Sequence, residues 1–322
     1  MIARTIFDFL SPGGARGKLS ILIFHRVLPR PDPLFPDEPD AARFDELMQL
    51  IAAWFNVLPL DEAVSRLRLQ TLPPRAACIT FDDGYADNYT VALPILRRHG
   101  LKATFFIASG FLDGGRMWND TVIEAVRGAK VAELDFGLAS VPAGSVGTDA
   151  EKRGLLSRLL PAVKHLPPTE RDEVVARIAE ASGALLPDDL MMTTEQVRGL
   201  RDAGMLIGAH TVTHPILAAC SDEQAWSEIK TGREQLELIL DERVALFAYP
   251  NGKPGADYTH QHVEMVVRLG FDAAVSTSWG ANQASSDKFQ LLRFTPWSRA
   301  RWKFAAHLAQ NLRRGAPEVL VR

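Results

Sequence analysis

The stretch "AACITFDDGY", residues 76–85, passes from an apolar, β-rich run directly into two adjacent carboxylates and a glycine. Adjacent carboxylates repel each other, and neighbouring residues of a strand point to opposite faces of a sheet. A turn at Gly84, which tolerates backbone conformations closed to other residues, would bring Asp82 and Asp83 into one pocket. We therefore predict a strand over 76–81 whose carboxyl end delivers both acids to a single site.

Six further apolar runs have the length and composition of strands, and helical patterns alternate with them along the chain. They are "LSILIF" (19–24), "FNVL" (55–58), "ATFFIA" (103–108), "MLIGA" (205–209), "VALFAY" (244–249) and "FDAAVS" (271–276). Strands that alternate with helices predict a parallel sheet in a protein of the α/β class. About seven such units in one chain favour a barrel over an open sheet.

Several of the helices between these strands carry sequence signals for their ends. Asp40 is placed to cap the helix that follows it, and Gly100 is placed to end a helix that starts near residue 86. Thr193 and Gln196 have the spacing of a capping box, which marks the start of another helix.

The alternation of predicted strands and helices divides the chain into three segments. We predict an N-terminal segment over residues 1–18, a barrel over 19–300, and a basic C-terminal helix over 301–322. A stretch from about 113 to 190 is interrupted by glycine and proline and is partly helical, so we interpret it as an insertion over one rim. The basic, amphipathic "RARWKFAAHLAQNLRR" (299–314) leaves two interpretations open, a packed final helix, which we favour, and peripheral membrane contact.

The composition excludes several classes of protein. The chain has 322 residues, of which 47% are hydrophobic and 23% charged, as in a soluble globular protein. Its net charge of -3 gives no support for binding to nucleic acid. No apolar run reaches membrane-spanning length, and "MIARTIFDFLSPGGARGK" (1–18) lacks the features of a signal peptide. Two cysteines cannot make a disulfide framework, so we predict a cytoplasmic protein.

Side chains that can bind a metal or take part in acid–base chemistry follow three of the predicted strands, and the turn sequence "PNG" follows a fourth. His25 follows the first, Asp82 and Asp83 follow the third, His210 follows "MLIGA", and "PNG" (250–252) follows "VALFAY". Active sites of parallel barrels lie at the carboxyl ends of the strands. We therefore predict that these residues share one rim.

The segment "HTVTH", residues 210–214, places two histidines four residues apart, so that a helical turn or a tight loop can aim both at one point. Two imidazoles and a carboxylate are a common ligand set for a divalent metal that keeps positions for water. The alternative is that His210 and His214 are hydrogen-bonded and bind no metal.

The two acids after the third strand would then have different roles. A bound cation would neutralise one of them, which makes Asp83 the metal ligand and leaves Asp82 free to act as a base. The alternative for this pair is that the acids cap the following helix.

Together these residues resemble the NodB-homology polysaccharide deacetylases, carbohydrate esterase family 4. "TFDDG" (80–84) matches the first motif of that family, and "HTVTH" matches its His-Ser/Thr-x-x-His motif. The likeness extends from about residue 19 to about residue 295. It implies a distorted (β/α) barrel that binds zinc, or cobalt, nickel, manganese or iron, and removes N-acetyl groups from amino sugars.

The resemblance also implies roles for individual residues. Asp82 is the general base, and Asp83 and the two histidines hold the metal. "AYPNG" (248–252) stands where the family has an Arg-x-Pro motif. The backbone N–H of Asn251, directly after Pro250, is thereby expected to bind the oxyanion.

Three departures from the family pattern are visible. Ala248 takes the place of the arginine that orients the base, and "LLRF" (291–294) puts Arg293 where a Leu-x-His motif would supply the general acid. The aspartate expected before the tryptophan of "STSWG" (276–280) is also absent. However, "FHRV" (24–27) resembles the N-terminal motif of a subgroup with a circularly permuted barrel, in which a histidine on the first strand supplies the acid. This likeness assigns the acid role to His25.

We also predict contacts with substrate for four residues near these motifs, namely Tyr85, Trp118, Pro250 and Arg293. Trp118 could form the roof of a sugar site, with core packing as the alternative.

The predicted activity is metal-dependent hydrolysis of the N-acetyl group of an amino sugar, in a polysaccharide or a precursor of a surface glycan. The partner is an N-acetylated saccharide, and the oligomeric state is left open. Three alternatives remain: another C–N hydrolase acting on a formyl group or a non-sugar amide, a non-haem iron oxygenase, and a saccharide-binding protein that has lost catalysis.

Overall fold

A computed structural model describes residues 2–135, 138, 140–295, 298 and 300–314. All seven apolar runs form strands of one parallel sheet, as predicted. Two short strands, β5 and β6, form a separate antiparallel pair that was not predicted. In chain order the strands are β1 (Leu19–Phe24), β2 (Asn56–Val57), β3 (Ala76–Phe81), β4 (Thr104–Ile107), β5 (Glu133–Leu134), β6 (Gly144–Ser145), β7 (Leu206–Ala209), β8 (Leu246–Ala248) and β9 (Ala273–Val275).

The sheet curls into a distorted (β/α) barrel. Its spatial order is β1-β3-β4-β7-β8-β9, with β2 also paired to β3. Residues 291–294 run between the first and last of these strands, because Leu291 bridges Val275 of β9 and Phe294 bridges Leu22 of β1. The predicted barrel is confirmed, and its closing segment is the "LLRF" sequence.

Helices follow most strands and pack against the outside of the sheet, where they share a hydrophobic core with alternate strand residues. The helices are α1 (Ile2–Leu10), α2 (Ala41–Trp54), α3 (Leu60–Arg68), α4 (Leu93–Arg98), α5 (Trp118–Arg127), α6 (Asp149–Lys164), α7 (Pro168–Ser182), α8 (Thr194–Asp202), α9 (Asp222–Leu240), α10 (His260–Arg268) and α11 (Arg301–Arg313). Among the helices of the described residues, none combines the length and apolar character needed to cross a bilayer.

The predicted helix signals are confirmed. The Asp40 carboxylate accepts a hydrogen bond from the Arg43 amide at 2.8 Å, and Thr193 and Gln196 make a reciprocal capping box. The helix after the acid pair widens to a π-helix over Asn88–Ala92 before α4 continues it. Pro94 explains the widening, because proline has no N–H to give to the preceding turn.

The stretch predicted as an insertion contains α5, α6, α7 and the β5–β6 pair, which enclose a separate hydrophobic cluster together with Leu34 and Phe35. Residues 136, 137 and 139 of this stretch lie outside the described residues, as do residue 1 and residues 315–322 of the two terminal segments. The C-terminal segment forms a packed helix, α11, with Phe304, Leu308 and Leu312 buried.

Candidate active site

The residues predicted at four strand ends line one cavity of about 390 Å³. Strand alternation explains how the acid pair reaches it, because side chains two residues apart share a face. Cys78, Thr80 and Asp82 therefore lie on one face of β3 and its continuation, opposite to Ile79 and Phe81, which pack against the helices. The cavity is lined by His25, Asp82, Asp83, Met117, Trp118, Asn119, Leu160, Pro161, Lys164, His165, His210, His214, Asn251 and Thr277.

Left-handed backbone conformations concentrate at this cavity. Asp83 has φ of 78° and Gly84 has φ of 94°, so the chain turns immediately after Asp82. His214 and Asn251, from two other loops, have φ of 55° and 58°. Such conformations are unfavourable for residues other than glycine and tend to occur where function requires them. The turn predicted at Gly84 is confirmed, and it brings Asp83 into the cavity beside Asp82.

Asp83, His210 and His214 converge on one point. The Nε2 atoms of both histidines lie 3.5 Å from Oδ1 of Asp83, and one ligand atom from each residue lies within 4.8 Å of the others. The two imidazole rings are 4.7 Å apart between centroids. The two histidines, four residues apart in the sequence, therefore do point at one carboxylate, as predicted.

The loop that carries the histidines is held by α9. The Glu228 carboxylate accepts hydrogen bonds from the amides of Val212 and Thr213, both at 2.9 Å. Gly232, one helical turn later, allows the helix to approach, since a Cβ there would lie only 2.6 Å from the carbonyl carbon of Thr211. These contacts fix the position of His214 relative to His210.

The three side chains fit a divalent cation. Nδ1 of His210 is 2.7 Å from the Ala248 carbonyl oxygen and donates to it, which leaves the Nε2 lone pair directed at the cavity. Nε2 of His210 and Oδ1 of Asp83 are buried and, within the described part of the chain, have no hydrogen-bond partner. Buried polar atoms without partners are costly. A cation bound between them would satisfy both atoms, and His/His/Asp is a donor set suited to zinc.

Two of the three side chains, Asp83 and His214, have the charge state that metal binding requires at neutral pH. Burial raises the pKa of Asp83, but the neighbouring histidines more than offset this and hold the pKa below its usual range. Burial lowers the pKa of His214 to about 4, so its imidazole is neutral and has a free lone pair. A carboxylate and a neutral imidazole are the forms that bind metals.

Arg293 holds Asp82 through two hydrogen bonds of 2.7 Å, from Nη1 to Oδ1 and from Nη2 to Oδ2. The guanidinium is fully buried, and its Nε donates to the Ser276 carbonyl at 2.8 Å. The prediction that Arg293 contacts substrate is therefore wrong, because it lies beneath Asp82 and not on the cavity wall. An arginine from the segment that closes the barrel is thus paired with Asp82, although Ala248 stands at the position where the family resemblance implied one.

Asp82 is an ionised carboxylate in this arrangement. Burial alone raises the pKa of Asp82, but the charge of the Arg293 guanidinium and its two hydrogen bonds outweigh burial and keep the pKa below its usual range. Oδ2 of Asp82 lies 4.0 Å from Nε2 of His210, whereas Oδ1 of Asp83 lies 3.5 Å from the same nitrogen. Of the two acids, Asp83 is therefore the one placed to bind a cation.

The other two residues predicted to be catalytic also line the cavity. His25 is exposed, and its backbone carbonyl accepts a hydrogen bond from the Asn88 side chain at 2.8 Å. The carbonyl of Asn251 accepts a hydrogen bond from Thr277 at 2.7 Å. Among the described residues the Asn251 amide has no acceptor, so its N–H is available to a ligand.

The other predicted substrate contacts divide into two groups. Trp118, at the start of α5, lines the cavity as expected. Tyr85 and Pro250 are buried and do not line it. The Tyr85 hydroxyl donates to the Asp120 carboxylate at 3.1 Å, and the ring packs under the Arg26 guanidinium. The substrate contacts predicted for Tyr85 and Pro250 are therefore wrong, and the two residues support the cavity from behind.

Part of the cavity wall comes from residues that no sequence motif indicated. Lys164 and His165, at the end of α6, reach the cavity together with Asn119 of α5. The position of α6 beside the acid pair was not predicted, since no local pattern in residues 149–165 indicates which element this helix covers. The general prediction of an insertion over one rim was the only signal available for these residues.

A model of the polysaccharide deacetylase family matches residues 70–133 and 172–274, which together make up more than half of the chain. The matched residues include the acid pair, both histidines and Asn251. The stretch between the two matches, residues 134–171, contains β6 and α6 and lies within the predicted insertion.

Three individual proteins to which the chain is similar are only 17–22% identical to it. The YxkH protein of Bacillus subtilis (strain 168) is 22% identical over 278 residues, which cover 86% of this chain and 70% of YxkH. Among solved structures, the deacetylase PplD of Streptococcus pyogenes, in complex with acetate, superposes with a TM-score of 0.61 at 20% identity, covering 92% of this chain and 99% of PplD. IcaB from Ammonifex degensii gives a TM-score of 0.58 at 17% identity, covering 94% of this chain and 99% of IcaB. These likenesses support the fold.

Proposed function

The chain belongs to the polysaccharide deacetylase family and is an N-deacetylase hydrolase, and from that premise we propose that it uses a divalent metal to remove N-acetyl groups from an amino sugar in a polysaccharide or a glycan precursor. The observation that carries the proposal is the arrangement of four side chains. Asp83, His210 and His214 share one point, while Asp82 lies beside them and is held by Arg293. A site built only for binding would have no use for the second, separately oriented acid.

We propose zinc as the metal, with cobalt, nickel, manganese and iron as alternatives for the same donor set. Asp83, His210 and His214 would hold it and leave the cavity side open, as in catalytic zinc sites with three protein ligands. When bound, such a cation polarises a carbonyl and lowers the pKa of water. The remaining chemistry falls to the side chains and backbone of the cavity.

Asp82 is the proposed general base. It is ionised, and both its oxygens are fixed by Arg293, so it is placed to accept a proton from the water that attacks the acetamide carbon. The guanidinium also limits rotation of the carboxylate. Arg293 thus acts through Asp82 as a positioning residue and does not touch the substrate.

Asn251 and His25 complete the proposed reaction. The Asn251 amide, which has no acceptor among the described residues, would donate to the oxygen that becomes negatively charged during attack. One such donor typically contributes about 3 kcal/mol to the transition state. His25 would give a proton to the departing sugar amine, which is a poor leaving group without one. The assignment of His25 is supported by its place in the cavity and by the "FHRV" likeness.

The substrate class follows from the family and from the shape of the site. Trp118 offers an aromatic surface beside the catalytic groups, as sugar-binding sites often do, and the cavity is open enough for a saccharide unit. Membership of the polysaccharide deacetylase family supports a polysaccharide or its precursor as substrate. We also propose a cytoplasmic location, which is supported by the two unpaired cysteine thiols, Cys78 and Cys220.

The proposal is tested by measuring acetate and formate release from N-acetylated and N-formylated saccharides, before and after treatment with a chelator. We expect acetate release that stops on chelation and returns when zinc is added. Release of formate alone would favour a different C–N hydrolase. Saccharide binding without release of either acid would contradict catalysis and favour a binding protein.

A further inference from the structure

The N-terminal and C-terminal helices, α1 and α11, lie side by side and leave an apolar groove of about 580 Å³ between them. The groove has its floor on Phe7 and Trp54, which belong to the core. Its walls come from the two helices. The groove is lined by Ala3, Ile6, Phe7, Trp54, Arg301, Trp302, Ala305, Ala306 and Ala309.

Large apolar side chains project into solvent around this groove. Phe9 is 86% exposed, Trp302 is 69% exposed and Ile6 is 43% exposed. Ile6 and Phe9 are three residues apart on α1 and therefore lie on neighbouring positions of one helix face. A cluster of exposed aromatic and aliphatic side chains beside an apolar groove is unusual for a surface that faces only water.

The same surface is basic. The helix α11 contains Arg301, Lys303 and Arg313 and has no acidic residue. The Lys303 ammonium lies 5.5 Å from the centre of the Trp302 ring. On α1 the one acid, Asp8, is neutralised by an ion pair with Arg75. Ile6, Phe9, Trp302 and these cations of α11 are called the α1/α11 face below.

We propose that the α1/α11 face docks on the surface of a bilayer that contains anionic phospholipids. Exposed aromatic side chains with flanking lysine and arginine are the pattern of helices that lie in the interface of a membrane without crossing it. The charge is complementary, because anionic headgroups attract clustered cations and the groove is lined by no acid among the described residues. A second copy of the chain would bring like charges together on this face.

The position of the face is compatible with catalysis. Asp8 pairs with Arg75, which directly precedes β3, and the ring of Phe7 lies 4.9 Å from that of Phe55, which directly precedes β2. The α1/α11 face therefore adjoins the amino-terminal ends of the strands. The cavity with Asp82 lies at their carboxyl ends, so docking would leave its mouth uncovered.

Vesicle co-sedimentation of the full chain tests the proposal. We expect the protein to sediment with phosphatidylcholine vesicles that contain phosphatidylserine and to remain largely in solution with phosphatidylcholine alone. The double variant Phe9→Ser, Trp302→Ser should lose binding. The double variant Lys303→Gln, Arg313→Gln should bind about 25-fold more weakly, since each cation near an anionic surface contributes about fivefold.

Matched controls are available on the insertion. Leu185, which is 92% exposed, and Arg177 on α7 lie outside the α1/α11 face, so Leu185→Ser and Arg177→Gln should bind vesicles like the original protein. Hydrolysis of a soluble substrate should be unchanged in all four variants, which keeps this test independent of the proposed function. Failure of the original protein to sediment, or equal binding by all variants, would overturn the proposal. A dimer that Phe9→Ser, Trp302→Ser dissociates, with no vesicle binding, would identify a second copy as the occupant instead.

Discussion

Arg293 and Asp82 form a fully buried, two-pronged ion pair, although 211 residues separate them in the chain. The pair joins the segment that closes the barrel to the end of β3. One ion pair therefore both anchors the segment that closes the barrel and orients the proposed base. A carboxylate with both oxygens held in this way cannot rotate away from the cavity without breaking two charge-assisted hydrogen bonds.

Loss of the guanidinium should be costly in stability as well as activity. Arg293→Met leaves Asp82 buried without its partner, which typically destabilises a protein by about 3–5 kcal/mol. The double variant Arg293→Met, Asp82→Asn removes both charges and should recover part of that loss. Urea unfolding of the two variants measures the difference. Equal stability of the single and the double variant would show that the pair is not coupled.

Removing the proposed general acid should affect amides more than esters. His25→Gln should slow release of acetate from an N-acetyl sugar by about a hundredfold or more, because the amine must be protonated as it leaves. Hydrolysis of an aryl acetate, whose phenolate leaves without a proton, should change little. Steady-state rates on the two substrates provide the comparison. Equal losses on both would rule out the acid role and indicate a general disturbance of the cavity.

The cavity offers a matched pair of histidines for testing the metal site. His214→Ala should weaken zinc binding by more than about a hundredfold, since loss of a partner outside the ligand set already costs about 10- to 100-fold. His165→Ala, which alters the same cavity without touching the triad, should keep its zinc. Metal content after dialysis and calorimetric titration would measure both. Retention of zinc by His214→Ala would contradict the ligand assignment.

The buried Asp120 should make stability depend on pH. Burial raises the pKa of Asp120 to about 7, from an ordinary value of 3.8. Between these values the unfolded chain has lost the proton and the folded chain has kept it, so stability falls as pH rises through this window. We expect a loss of about 1–3 kcal/mol between about pH 5 and about pH 8 from this group.

Asp120→Asn should remove that contribution, since the amide oxygen can still accept the hydrogen bond from the Tyr85 hydroxyl. Asp188→Asn, at an exposed position, is the control and should leave the pH dependence unchanged. Chemical denaturation at the two pH values measures each variant. An identical decline in Asp120→Asn and in the original protein would show that Asp120 is ionised in the folded state.

Much of the fold could be predicted because its signals are local. The strands are continuous apolar runs, and Asp40, Thr193 and Gln196 are short-range capping signals that tertiary structure did not override. The acid pair and the two histidines could be predicted as one site because parallel strands place their carboxyl ends on one rim. The turn at Gly84 could be predicted from the residue type, since glycine tolerates the left-handed conformation found there.

The role of Arg293 could not be predicted because it depends on closure of the barrel. Its sequence neighbours are apolar, and nothing near residue 293 indicates that the side chain turns inward to Asp82. Tyr85 follows the acid pair in sequence, but its side chain reaches Asp120 and not the cavity, a contact that no local pattern indicates. Lys164 and His165 depend on the packing of a whole helical unit against the rim, which no pattern within that unit specifies.

The two adjacent carboxylates have different tasks in the proposed reaction, and the same substitution at each position tests this division of tasks most directly. Zinc affinity and acetate release should be measured side by side for Asp82→Asn and Asp83→Asn. If the tasks are divided in this way, Asp82→Asn should bind zinc like the original protein but turn over about a hundred to ten thousand times more slowly, whereas Asp83→Asn should lose both zinc and activity. Unimpaired turnover by Asp82→Asn, or full zinc affinity in Asp83→Asn, would contradict it.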